Sequence, residues 1–221
     1  MIGVFGNDEQ VAVVPAPDCQ LCPRLAAYRA ANQLANPDWF NAPVPSFGPM
    51  GVRLLIVGMA PGVRGANRTG RPFTGDHAGL LLYKTLLRVG LATGSYDARQ
   101  DDGLALLGCR VTNAVRCVPP ANLPQPIEVR TCNSFLTAEL RALPDLRAVL
   151  ALGVLSHAAV LKACGMVPSR VKFQHGAIHD LPDGLLLGDS YHVSRYNTNT
   201  GVLTAEMFEL AVLRLMERIG Q

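Results

Sequence analysis

The chain has 221 residues, 49% of them hydrophobic and only 17% charged, which suits one well-buried domain and excludes an intrinsically disordered polypeptide. Its net charge of +3 does not by itself demand a nucleic-acid partner. Seventeen of its twenty basic residues are arginine, which can grip phosphate with two bonds at once, although a GC-rich genome gives the same bias. Asp8 and Glu9 stand where a secretory leader would carry basic residues. The most apolar run, Ala148 to Leu161, is too short for a membrane span and contains Ser156 and His157. A cytoplasmic protein without membrane attachment is the expectation, and disulfides among its six cysteines are not.

Residues 1–50, rich in proline, asparagine and small side chains, predict an irregular N-terminal extension with one short helix from Pro23 to Ala35. Val52–Gly58 is a continuous apolar run ended by glycine, the pattern of a buried parallel strand. A glycine-rich loop from Met59 to Asp76 follows, then leucines at helical spacing over Ala78–Val89, with Lys84 and Arg88 on the other side. Arg110–Arg116 predicts a strand, Pro126–Ala142 a helix entered through proline, Leu146–Leu152 a strand, and Val154–Ala163 a helix. Gly184–Leu187 predicts a short strand running into a loop, Gly188–Gly201. The last helix, Leu203–Arg218, carries Phe208, Ala211, Val212 and Leu215 on one stripe. Such alternation implies an α/β fold, a three-layer α/β/α sandwich with a central, mostly parallel sheet, spanning residues 1–221 as a single domain. Ligands bind such sheets at the carboxyl ends of the strands. The loops there, 59–77, 113–124 and 189–201, hold nearly all the unusual polar residues.

The glycine-rich loop lacks Gly-x4-Gly-Lys-[Ser/Thr], since no lysine precedes Lys84, and lacks Gly-x-Gly-x-x-Gly after the strand. A nucleotide-cofactor site is therefore not expected. Instead, Gly58-x-Ala-Pro-Gly62, Gly70-Arg-Pro-Phe-Thr-Gly-Asp76 and Ala78-Gly79 resemble the first active-site motif of the bacterial and archaeal uracil-DNA glycosylases. Asn67 to Asp76 is similar to the family 5 (type B) branch. The resemblance continues through Thr112-Asn-Ala-Val-Arg-Cys-Val-Pro-Pro120, His192-Val-Ser-Arg-Tyr-Asn-Thr198 and Thr200-Gly201.

Cys19-x2-Cys22 is a metal-type pair that Cys117-x14-Cys132 could complete, and spacing alone favours zinc. The resemblance implies instead a [4Fe–4S] cluster on Cys19, Cys22, Cys117 and Cys132, with a structural rather than redox role. Cys109 and Cys164 read as packing residues.

A glycosylase must flip its nucleotide out of the double helix into a pocket. Breaking the bond between sugar and base leaves positive charge on the sugar and negative charge on the base. Phe73 is the expected stacking platform, the alternative being a core aromatic. Asn113 offers both donor and acceptor to the uracil edge and rejects cytosine, whose pattern is reversed. His192 is the expected donor to the departing base. Asp76 is expected to position or deprotonate water, with a helix N-cap as a second role. Gly58 and Ala60 are expected beside the base. Arg195, Tyr196 and Asn197 are expected to meet DNA. His157, His175 and His179 read as structural or surface residues, and His77 as near the site.

The resemblance implies an enzyme of base excision repair; because none of the three lysines falls in the motif loops to form a Schiff base, a monofunctional enzyme is expected, and a monomer. It would act on double-stranded DNA carrying uracil, hypoxanthine or another deaminated base. Met59 and Ala60, where related branches place a polar or acidic residue, argue against the uracil-only family 4. Rivals from other classes are a non-catalytic iron–sulfur redox or sensor protein and a zinc-stabilised DNA-binding module.

Overall fold

Four consecutive branched apolar residues and a glycine form the strand Leu54–Gly58 (β1), every one buried. Alternate side chains of a strand point to opposite faces. Leu54 and Ile56 accordingly enter one core, whereas Leu55 and Val57 enter the other. The computed structural model describes residues 14–220, so the first thirteen residues of the expected extension lie outside the described residues. The helix of the extension, Pro23–Ala35 (α1), packs Leu25 into the second core. After β1 come a short helix, Ala66–Thr69 (α2), and a longer one, His77–Arg88 (α3). Ala92–Thr93 (β2) and Ala105–Leu106 (β3) form a two-stranded antiparallel ribbon.

Cys109–Asn113 (β4) pairs in parallel with β1, placing Asn113 opposite Gly58. Pro126–Ala142 (α4) begins at a capping box, with Glu128 returning to the Gln125 amide at 2.6 Å. Ala148–Leu152 (β5) pairs with β1 and leads into Val154–Ala163 (α5). Ile178–Asp180 (β6) is an antiparallel edge strand on Leu186–Ser190 (β7), which runs parallel to β5. Arg195–Asn199 (α6) and Ala205–Arg218 (α7) complete the chain. The main sheet has the order β4-β1-β5-β7-β6. Residues of α3 and α7 cover one face, and those of α1, α4 and α5 the other, giving the expected three layers.

Several boundaries shift by one to three residues from the sequence expectation, and two of the shifts have a visible cause. The predicted strand Arg110–Arg116 ends at Asn113, because Ala114 and Val115 bond instead to the carbonyls of Gly58 and Met59. The strand expected over Gly184–Leu187 runs from Leu186 to Ser190, since Asp183 and Gly184 adopt positive φ in a turn. Gly188 then lies under Leu215, where a Cβ would come within 2.7 Å of a methyl group. The loop expected over Gly188–Gly201 thus loses its start to β7 and its middle to α6. Among the described residues no helix is long and apolar enough to cross a membrane.

The sequence beyond β4 is anchored by charge. Glu139 on α4 accepts from Arg110 at 2.8 Å and from Arg116 at 2.5 Å, and its carboxylate is fully buried. Burial alone would raise its pKa, but Arg116 and the hydrogen bond from Arg110 outweigh that and hold it below the ordinary carboxylate value. Removing one partner of a buried network strands the others without compensation. Glu139→Ala is expected to destabilise the fold by roughly 3–5 kcal/mol in urea unfolding, because two buried guanidinium groups lose their counter-ion.

Candidate active site

The carboxyl ends of β1, β4, β5 and β7 open into a cleft of about 930 Å³. Its lining includes Met59, Ala60, Asp76, His77, Asn122 and His192, with Arg195 at the rim. The glycines of the loop after β1 admit a carboxylate: a Cβ at Gly62 would sit 2.9 Å from Asp76 Oδ2, and one at Gly65 would collide with the same group. Close backbone approach, rather than phosphate binding, is what their spacing serves.

Phe73 adopts φ +52°, a conformation rare for a bulky side chain. Its carbonyl accepts from the Tyr96 hydroxyl at 3.0 Å, and the preceding Pro72 carbonyl accepts from Tyr83 at 2.6 Å. Burial pushes the Tyr96 phenol up to about 12, so it stays a donor at every physiological pH. Gly79 is obligatory, because a Cβ there would collide with the Phe73 carbonyl and the Tyr96 hydroxyl. Arg71 fixes the turn from behind. It donates from Nε to Thr74 Oγ1 at 2.7 Å, makes two bonds to Asp102 at 2.8 and 2.7 Å, and lies over the rings of Phe47, Tyr83 and Tyr96. The Arg71 hydrogen bond holds Asp102 well below the usual carboxylate range.

Asp76 stands directly before α3 in extended backbone, yet its side chain makes no capping bond to that helix. Its Oδ1 is buried and has no hydrogen-bond partner among the described residues. Burial raises its pKa, although the nearby amides of Gly79 and Ala78 and the His77 ring pull the other way. A raised carboxylate with one uncommitted oxygen is equipped to take a proton or hold water.

Asn113, 3% exposed, ends β4. Its Oδ1 lies over Gly58, where a Cβ would approach it to 2.5 Å and would collide with the Phe73 ring. Phe73 and Asn113 thus meet on the bare Cα of Gly58, set back from the residues that line the open cleft. The His192 ring stands 6.2 Å from the Phe73 ring, tilted by 34°. Burial lowers the His192 pKa, which keeps the imidazole neutral near pH 7, able to donate one hydrogen bond without carrying charge. The structure therefore gathers Gly58, Ala60, Phe73, Asp76, Asn113 and His192 at one end of the sheet.

The three residues expected to meet DNA divide. Arg195 and Tyr196 lie exposed on α6, with Tyr196 73% accessible. Asn197 instead donates from Nδ2 to the His192 carbonyl at 2.8 Å, a contact that holds the His192 loop. His77 bonds Thr198 at 3.0 Å, latching α3 to α6 across the cleft mouth. The supporting residues Arg71, Tyr83, Tyr96 and Asp102 escaped the sequence reading, since only the fold brings them beside Phe73. The one local signal was the polar Arg-x-x-Thr pair within the glycine-rich loop.

Cys19, Cys22, Cys117 and Cys132 line one small pocket with Leu25, Arg29 and Phe135. Arg29 donates to Cys117 Sγ at 3.1 Å and the Arg116 amide to Cys132 Sγ at 3.4 Å, as suits anionic sulfur. Burial pushes Cys117 up to about 11 and Cys132 up to about 12, so thiolates at these two positions need a cationic group to hold them. Cys109 is buried, as expected of a packing residue, and Cys164 is half-buried.

Comparison with known proteins agrees with this geometry. Residues 45–215 match the family model described as the uracil DNA glycosylase superfamily. A type-5 uracil-DNA glycosylase of Thermus thermophilus is 44% identical over 218 residues, 96% of this chain and 99% of that one. Type-5 uracil-DNA glycosylases of Pyrobaculum aerophilum and Mycobacterium tuberculosis are each 40% identical over 86% of this chain, and 84% and 74% of their own.

Gly58→Ala tests the packing at the sheet end. Its methyl group must displace Phe73 and Asn113, so we expect a folded protein whose activity falls at least tenfold, checked by circular dichroism beside a turnover assay.

Proposed function

The chain belongs to the uracil DNA glycosylase superfamily, and we propose that it excises hypoxanthine and other deaminated bases as well as uracil from double-stranded DNA. It is a hydrolase of the N-glycosidic bond, acting in DNA repair. The observation that carries the mechanism is the uncommitted, buried Oδ1 of Asp76 in the same cleft as His192.

In this reading the target nucleotide leaves the stack and its base lies against the Phe73 ring. The Asn113 amide pairs with the edge of uracil through one donor and one acceptor. As the bond between C1′ and the base nitrogen breaks, its electron pair passes to the base and charge gathers on the adjacent carbonyl oxygen. The neutral His192 ring donates a hydrogen bond there. Water adds to C1′ from the other side, and Asp76 orients it and takes its proton. The Asp76 carboxylate also favours the cationic sugar. Met59 and Ala60 bring no acid to the cleft, which leaves Asp76 with this work. The small Ala60 side chain leaves room for the larger hypoxanthine. None of Lys84, Lys162 and Lys172 lines the cleft, which supports a monofunctional enzyme that leaves an abasic site without forming a Schiff base. Arg195 and Tyr196, exposed at the rim, are assigned to the DNA backbone and base stack.

The four cysteines are assigned to a [4Fe–4S] cluster. When bound, the cluster supplies cross-links that tie the segment before α1 to the exit of β4 and to α4. Its pocket shares no lining residue with the cleft, which supports a structural role. The proposal includes a single catalytic domain over residues 1–221 with 1–50 as its extension, acting as a cytoplasmic monomer on nucleoid DNA.

Labelled duplexes carrying uracil or hypoxanthine test the assignment. Wild-type protein is expected to yield abasic sites from both, and Asp76→Asn to lose at least 100-fold in rate. Abasic product from uracil alone would reduce the specificity to uracil, and unchanged Asp76→Asn activity would remove Asp76 from the mechanism. The acid limb of kcat/KM is expected above the ordinary carboxylate range, because activity needs the ionised form and falls as pH drops through the raised pKa. The same shift means that the ionised carboxylate costs stability once pH exceeds its unfolded value, so Asp76→Asn should melt no lower than wild type at pH 7.

Cys117→Ser tests the cluster. Loss of brown colour and iron, with a lower melting temperature, is expected. Full iron content in that variant would refute the ligand assignment.

A further inference from the structure

We infer that His157, His179 and Asp189 form a second metal site, for one divalent ion of the zinc class. His157 lies on α5, His179 on the edge strand β6 and Asp189 within β7, so three separate elements converge. Their ligand atoms all lie within 4.8 Å of one another. The trio shares no residue with the cysteine pocket or the cleft.

The hydrogen-bond inventory points to a cation. His157 Nε2 lies 3.0 Å from the Val171 carbonyl oxygen, which can only accept, so that nitrogen carries the ring proton. A neutral imidazole protonated there presents a bare lone pair at Nδ1. Yet Nδ1 faces Asp189 Oδ1 at 2.7 Å, and a carboxylate oxygen is also an acceptor. Two lone pairs at that distance repel, so the contact requires positive charge: a second ring proton, which makes an imidazolium–carboxylate pair, or a metal ion beside both atoms. A ligating histidine that donates its other N–H to a backbone carbonyl is the usual arrangement around a bound metal. Asp189 is prepared on its second oxygen too: Oδ2 lies 2.9 Å from His179 Nε2 and accepts from the Gln174 amide at 3.3 Å.

Two imidazoles and one carboxylate suit zinc, with water as the fourth ligand; bonds of about 2.0–2.1 Å set tetrahedral ligand atoms about 3.3 Å apart, so the 2.7 and 2.9 Å contacts must open by about half an ångström on loading. His157 and Asp189 are buried, while the half-buried His179 gives the ion its route from solvent. Phe173 meets the His157 ring edge-on at 5.7 Å and closes one side. Asp189 precedes His192 by three residues, so the ion would fasten β6 and α5 to the end of the strand that delivers His192. In the sequence both histidines read as structural or surface residues, and the fold turns them into a set.

The test uses the full-length protein as isolated, with iron and zinc both measured by mass spectrometry after Zn²⁺ loading and desalting. We expect one zinc per chain in addition to the iron, and at least tenfold weaker Zn²⁺ binding in His179→Ala. Cobalt substitution should give nitrogen/oxygen-type visible bands without the near-ultraviolet charge transfer of thiolate ligation. A melting temperature that rises with Zn²⁺ in wild type, but not in His179→Ala, supports the same site. Zinc uptake below one-tenth per chain in folded wild-type protein overturns the inference and leaves a proton in the ion's place. Equal uptake by His179→Ala, or by His179→Gln should the first variant not fold, overturns it as well. Thiolate bands in the cobalt form would reassign the metal to the cysteines. None of these readouts requires glycosylase activity.

Discussion

The carbonyl of Phe73 rests against the bare Cα of Gly79 and accepts the Tyr96 hydroxyl, and the geometry of the cleft depends on that contact. A phenylalanine at positive φ costs conformational energy, which the surrounding structure must supply. It does so through Tyr83 and Tyr96 on adjacent carbonyls and through the buried Arg71–Asp102 pair behind them. The turn delivers the ring over Gly58, beside Asn113, and places Asp76 three residues later above Gly62 and Gly65. Rigid support of this kind lets a site hold reactive groups in place before substrate arrives.

Polarity is distributed with the same economy around the cleft. Asp76 and His192 are both pushed by burial toward their neutral forms, one upward and the other downward. A carboxylate ready to accept a proton and an imidazole ready to donate a hydrogen bond therefore face one cavity. Neither is neutralised by an ion pair, whereas the carboxylates that hold the scaffold, Asp102, Glu128 and Glu139, are each bound by arginine. The division separates groups that react from groups that only hold. Arg24 extends the scaffold, gripping Glu128 at 2.7 Å with both nitrogens and so tying α1 to the start of α4 near the cysteine pocket.

Much of this was legible in the chain. The apolar run of β1, the leucine stripe of α3 and the proline entry to α4 gave elements whose limits the structure moves by a few residues at most. Phe73, Asp76, Asn113 and His192 could be singled out because each lies in or next to a strand-end loop with an unusual neighbourhood. Less legible were elements whose stability is not local. The edge strand β6 is three residues, two of them polar, and α6 is five residues capped by Ser194, both too short to leave a periodic signature. The end of β4 at Asn113 is set where the Ala114 and Val115 amides turn to the carbonyls of Gly58 and Met59, more than fifty residues away in the chain.

By itself, then, the sequence determined the layer architecture, because hydrophobic period is a property of neighbouring residues. It also determined which glycines matter, though not for what. Only the tertiary structure decided that Gly58, Gly62, Gly65 and Gly79 make room for Phe73, Asn113 and Asp76 rather than for phosphate. It likewise decided that Asn197 steadies His192, and that His157, His179 and Asp189 meet at all. Those are contacts between segments far apart in the chain, and their geometry exists only once the sheet has fixed its strand order and register.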